Sequence, residues 1–210
     1  MKKIALTILL ILFCASTLVG QARVTQEEYD VYAGVLRMIY RENRQTYSNK
    51  SHFIILKTTQ IDPELDLPSS RRYRALVRDF KRMNLSPGVI EKRLPNGAYS
   101  ETYYLVTRDE IDELFTRGRI EFDKRYEVEK SIKGLANPGG TTWMPFYERY
   151  PEASGYYTLS RVGFAGIFAM VQVKREDIHS GFSRTYILKK VKGMWKVITP
   201  SGVVSREWVT

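Results

Sequence analysis

Arg184-Thr185-Tyr186-Ile187-Leu188-Lys189-Lys190-Val191-Lys192-Gly193-Met194-Trp195-Lys196-Val197 is the stretch that decides the fold. Two runs rich in β-forming residues flank Lys192-Gly193, a pair suited to a tight hairpin turn. Tyr186, Leu188 and Lys190 alternate along the first run, as Trp195 and Val197 do along the second; that period of two is the mark of strands. Working backward, residues 167–173 and 155–162 read as two earlier strands. Residues 203–209 supply a fifth candidate beyond the hairpin. Ahead of them, residues 141–150 read as a short helix with an aromatic face of Trp143, Phe146, Tyr147 and Tyr150, ended by Pro151. The pattern predicts an antiparallel β-meander of four to five strands with helices packed on one side, an α+β domain.

The first half supplies those helices. Thr25 is placed to cap a helix over residues 26–44, with Glu27 and Glu28 in the first turn, where the helix dipole favours acids. Tyr29, Tyr32, Leu36, Ile39 and Tyr40 recur at helical spacing and give it one apolar face. Residues 52–59 are a short apolar run of β-formers and read as a strand. Residues 61–68 hold two prolines and three acids and read as a loop. Ser69 is placed to cap a second helix over residues 71–84, apolar at Tyr73, Leu76, Val77, Phe80 and Met83. Its other face carries Arg71, Arg72, Arg74, Arg78, Asp79, Lys81 and Arg82. Pro87-Gly88 and Pro95-Asn96-Gly97 then break the chain into turns. Residues 99–106 read as a strand and 109–115 as a short acidic helix. Residues 118–135 lean helical, up to a break at Asn137-Pro138-Gly139-Gly140.

Composition bounds the chemistry. The chain has 210 residues, 33 Lys+Arg against 23 Asp+Glu and a formal charge of +10; its 43% hydrophobic content belongs to a globular chain. One Cys excludes an intrachain disulfide and a cysteine zinc site. Two His exclude a zinc-protease helix motif, and no glycine-rich phosphate loop or cofactor fingerprint is present. Met1-Lys2-Lys3 followed by the apolar run 4–14 reads as a signal peptide over residues 1–22. Gly20 and Ala22 stand at the positions a signal peptidase reads. The expectation is therefore export through the Sec pathway to the periplasm or beyond, and a single α+β domain over residues 23–210. Cleavage would remove the only Cys and the apolar run itself, leaving no membrane span; the alternative, an uncleaved anchor, would need roughly 20 apolar residues, and the run is shorter. It would also remove Lys2 and Lys3, leaving 31 basic against 23 acidic side chains, a net charge of +8.

Several segments together resemble an uncharacterised family of bacterial secreted proteins. They are Trp143 with Phe146-Tyr147-Glu148-Arg149-Tyr150-Pro151, then Ser160-Arg161-Val162-Gly163-Phe164, and Gly193-Met194-Trp195-Lys196-Val197. The strand at 53–59, the helix at 76–84 and Tyr104-Leu105-Val106-Thr107-Arg108-Asp109-Glu110-Ile111 extend the likeness over most of the chain. That family often carries Asn after Gly-Phe and paired Cys in the later hairpin loop. Here Ala165 follows Phe164 and the loop has no Cys. The resemblance implies export and fold and brings no activity with it. The Gly-x-Trp-Lys-Val hairpin also resembles the closing strands of cone-shaped α+β domains such as the nuclear-transport-factor-like fold, which host binders and enzymes alike.

Side-chain chemistry marks the candidate sites. Arg161 sits mid-strand, and an inward Arg must be paired. Glu148 or another carboxylate of the aromatic helix is the expected partner. One reading is an anion-binding guanidinium over a floor of Tyr147 and Tyr150; the other is a structural ion pair locking helix to sheet. Asp177 and His179 share one loop with Glu176, a spacing that allows two or three ligands near a metal, with Ser160 or Ser180 as a conceivable nucleophile; a triad is defined by geometry, and a lone His in a polar hairpin loop is usually just exposed. Arg71, Arg74 and Arg78 mark a polyanion-binding face, for an envelope polyanion rather than nucleic acid given export. The leading reading is a non-enzymatic envelope binding or interaction domain, for a macromolecule or a small ligand, with no cofactor. The alternatives are a secreted hydrolase using acidic residues and Arg161, and a cone-shaped domain with a small-ligand pocket.

Overall fold

The computed structural model describes residues 22–46, 52–62, 67–91, 103–133, 142–198 and 205–209. The signal segment expected over 1–22 lies outside these apart from Ala22, as do the breaks at 95–97 and 137–140. The chain runs through β1 (Ala22–Arg23), α1 (Gln26–Thr46), β2 (His52–Leu56) and a 3-10 turn (Arg71–Tyr73) that leads into α2 (Arg74–Met83). Next come β3 (Gly88–Val89), β4 (Tyr103–Val106), α3 (Arg108–Lys133) and α4 (Met144–Arg149). Six strands close it: β5 (Ala153–Leu159), β6 (Gly163–Ala165), β7 (Phe168–Glu176), β8 (Ser180–Val191), β9 (Met194–Val197) and β10 (Ser205–Val209).

The domain is α+β, and its sheet is mixed, which corrects the purely antiparallel meander. Eight strands share one sheet in the order β10-β8-β7-β5-β2-β4, with β6 on β7 and β9 on β8. β5, β7, β8, β9 and β10 pair antiparallel as the sequence suggests. The two early strands join at the far side, where β2 runs parallel to both β4 and β5. The helices also cover both faces rather than one. Phe53 and Ile55 of β2 point into the core under α1, whereas Ile54 and Leu56 point into a second cluster with Ile111 and Phe146 of α3 and α4. Leu76 and Phe80 of α2 cover Met170 and Ile187 on that second face. An unbroken apolar run such as Phe53-Ile54-Ile55-Leu56 suits a central strand buried on both sides, as parallel strands are.

Local chemistry fixes the details. Lys192 and Gly193 take φ of 50° and 79°, the paired positive angles of the turn that matches a right-handed hairpin twist. Pro145 stands at the start of α4, where its missing N–H costs nothing. α3 is one continuous helix across residues expected to form a short acidic helix and a separate helical stretch. Gly163 of β6 lies directly on α2: a Cβ there would sit 2.4 Å from the Phe80 backbone nitrogen. Only glycine allows so close an approach.

Candidate functional site

Arg161 lies in the link between β5 and β6, not mid-strand as expected, and is the centre of a buried polar node. Its partner is Glu28, on the first turn of α1, and not Glu148. Nε of Arg161 donates to Glu28 Oε1 at 2.7 Å and Nη2 donates to Oε2 at 3.0 Å, a bidentate fork. The same carboxylate accepts Val162 N–H at 3.1 Å and Thr25 N–H at 2.8 Å. Glu28 N–H donates back to Thr25 Oγ1 at 3.3 Å, completing a capping box over Thr25-x-x-Glu28. Glu28 is fully buried and Arg161 is 4% exposed. Asn84, at the end of α2, bonds both sides of Arg161: its Oδ1 accepts Arg161 N–H at 2.8 Å and its Nδ2 donates to Arg161 O at 3.0 Å. Tyr32 Oη donates to Ser160 O at 2.8 Å, and burial pushes that phenol well up. The Glu28 carboxylate thus accepts four bonds, all from within the protein. The node is arranged to join α1, α2 and the sheet.

The other expected binding residues sit elsewhere. Glu148 is exposed and accepts from Arg117 Nη2 of α3 at 2.6 Å. Tyr147 is half-buried beside Ile178 and Asp177, and burial raises its phenol. Tyr150 is buried, and its hydroxyl accepts Arg149 Nε–H at 3.2 Å. Asp177 staples its own turn, accepting His179 N–H at 2.8 Å and Ser180 N–H at 2.7 Å, and it pairs with Arg175. Trp143, Phe146 and Tyr156 pack together with Phe115 as core between α3, α4 and the sheet. Tyr156 Oη donates to Glu176 Oε2 at 2.9 Å; burial and that carboxylate hold the phenol well above its usual range.

Among the described residues, two surfaces bring together cations that no carboxylate pairs. The first is the outer face of α2. Arg71, Arg74, Arg78, Lys81 and Arg82 are all exposed there. Asp79, the helix's one acid, is drawn inward: its Oδ2 accepts Phe164 N–H at 2.8 Å and its Oδ1 accepts Arg82 Nη2 at 2.6 Å. Among the described residues no carboxylate lies within ion-pair distance of Arg71, Arg74, Arg78 or Lys81. Arg74, Arg78 and Lys81 span about 10 Å of helix at ~1.5 Å per residue. No acid occupies the first turn. Both longer helices do place acids there, Glu27 and Glu28 in α1 and Asp109 and Glu110 in α3.

The second surface is a groove of about 850 Å³ beside the outer edge of β4 and the end of α4. Tyr103, Tyr104 and Tyr150 wall it, and Lys57 and Arg149 reach into it. No side chain of α2 lines it, and neither does Arg161. The structure thus brings Tyr150 to a groove and leaves Arg161, Glu148 and Tyr147 out of it. The sequence signals for that groove were weak, because Lys57 and Arg149 stand far apart in the chain and carry no motif.

No known family and no curated protein matches the chain. One solved structure, an NTF2-like protein of unknown function from Shewanella baltica OS155, matches at 12% identity and a TM-score of 0.21. The match covers 49% of this chain and 98% of that one. At that score it carries no argument, and the fold stands on the chain's own sheet and helices. Among the described residues no helix is long and apolar enough to cross a membrane.

Proposed function

We propose that this is an exported, non-enzymatic binding domain that holds an acidic polymer of the bacterial envelope on the outer face of α2. Residues 1–22 serve as the Sec signal, and residues 23–210 act in the periplasm or outside the cell. The observation that carries the binding reading is the sidedness of α2. Its apolar side anchors on Met170 and Ile187, its one acid reaches inward to Phe164 and pairs with Arg82, and its outward side holds four further cations, Arg71, Arg74, Arg78 and Lys81, with no carboxylate partner among the described residues. Stability does not ask for this. Arginines in a first helical turn oppose the positive end of the helix dipole, at a cost of some tenths of a kcal/mol each. Clustered on one exposed face, these cations suit an anionic chain.

Heparin serves as the probe polyanion. Binding is measured across a salt series for the natural protein and for Arg71→Ser/Arg74→Ser/Arg78→Ser. Each released counterion contributes about 0.7–0.9 to the slope of log K against log salt, so the triple variant loses about 2 from that slope. A control that removes three equally exposed charges, Lys124→Ser/Lys192→Asn/Lys196→Ser, keeps the slope. Equal losses in both variants would reduce the attraction to net charge and end the reading.

A further inference from the structure

We infer that the groove between β4 and α4 is a separate binding site for a small molecule that joins an anionic group, carboxylate or phosphate, to a flat ring or sugar. The reasoning begins with which charges in the groove are spent. Glu110 Oε2 accepts Thr107 N–H at 2.6 Å and Thr107 Oγ1–H at 3.0 Å, closing the cap of α3. Those bonds hold its carboxyl below the usual range, ahead of the smaller pull of Lys57 and Arg149. Glu152 sits 3.3 Å from His52 Nε2, and Glu91 sits 3.5 Å from Arg23 Nε. Each acid of the groove is therefore engaged. Lys57 and Arg149 are not: among the described residues no carboxylate lies within ion-pair distance of either.

Arg149 is also aimed. Its Nε–H bond to Tyr150 Oη fixes the near end of the guanidinium, and its carbon lies 5.7 Å from the Tyr150 ring centre. Among the described residues nothing bonds its two outer nitrogens, which suit a two-pronged bond to an oxyanion. Beside it, Tyr104 is 43% exposed, yet its ring is held between His52 at 5.3 Å and Tyr150 at 5.9 Å. A fixed, exposed aromatic face next to two unspent cations suits a ring or sugar bearing an anion.

The test uses ligand-observed NMR and calorimetry on the chain as purified from an expressing bacterium. The probes are phenyl phosphate, benzoate and phenol. Saturable binding of at least one anion is expected, with phenol at least tenfold weaker. Lys57→Gln/Arg149→Gln should lose at least tenfold for the anion and leave phenol unchanged, with an unaltered melting temperature showing that the fold is kept. Tenfold preference for phenyl phosphate would assign the phosphate source, and the converse the carboxylate. Arg71→Ser/Arg74→Ser/Arg78→Ser should bind the anions as the natural protein does; loss there would move the site to α2 and overturn the inference. Phenol binding as tightly as the anions, no saturable anion binding, or an unchanged affinity in the Lys57 and Arg149 variant would also overturn it.

Discussion

Replacing Arg161 by Met removes the guanidinium and keeps most of the side chain's volume. Glu28 then stays fully buried with two backbone N–H partners, Thr25 and Val162, where it had two further charge-assisted bonds. Breaking a buried pair in this way costs about 3–5 kcal/mol, because the remaining charge is uncompensated. At ~2–4 °C per kcal/mol for a domain of this size, the melting temperature should fall by about 6–20 °C. Glu28→Gln should cost a comparable amount, since an amide presents N–H where the fork needs an acceptor. The double variant should lose less than the sum of the two by about 2 kcal/mol. Urea unfolding followed by tryptophan fluorescence reads all three, with Trp195 buried in the main core as reporter. A loss below about 1 kcal/mol for Arg161→Met, or losses that simply add, would refute the claim that this pair locks α1 to the sheet.

Two further outcomes can be checked on the same protein. Asn84→Ala deletes the bonds to Arg161 N–H, Arg161 O and Phe80 O; at ~1 kcal/mol each, the loss in urea unfolding should be about 2–3 kcal/mol. Burial pushes the Tyr186 phenol up to about 12, against the pull of Arg184. An unfolded tyrosine ionises near 10, so the folded protein keeps this proton longer than the unfolded chain. The associated stability is fully present below pH 10 and falls as the pH rises to 12, by about 2 kcal/mol. Unfolding curves between pH 9 and 12 should show that decline on top of those from Tyr32 and Tyr156, whose phenols burial also raises, and Tyr186→Phe should lessen it by about 2 kcal/mol.

The hairpin, α1 and α2 were legible because local rules decide them: period two around Lys192-Gly193, period 3.6 over Tyr29–Ile39 and Leu76–Phe80. Both early strands were legible as strands. Their membership of the same sheet was not, because parallel partners such as Ile54 and Tyr156 are joined through long crossovers that leave no local trace. That omission also produced the expectation of helices on one side. The capping box at Thr25 and Glu28 was readable in principle, since Ser/Thr-x-x-Glu ahead of an apolar run is its signature. Its second duty, holding Arg161, was not, and Glu148 is nearer in sequence. The cationic face of α2 was plain from Arg71, Arg74 and Arg78. What the sequence withheld was the inward turn of Asp79 to Phe164 and Arg82, which leaves Arg71, Arg74, Arg78 and Lys81 with no carboxylate partner among the described residues.

The Glu28–Arg161 contact joins residues 133 apart in the chain. Folding must therefore close a loop through most of the protein before the first helix gains its counter-ion, and distant closures slow the search. A nascent chain ending before residue 161 would strand a carboxylate on the buried side of α1, a penalty that keeps the N-terminal half from settling early. The link between β5 and β6, which carries Arg161, thus completes the first helix from the far half of the chain.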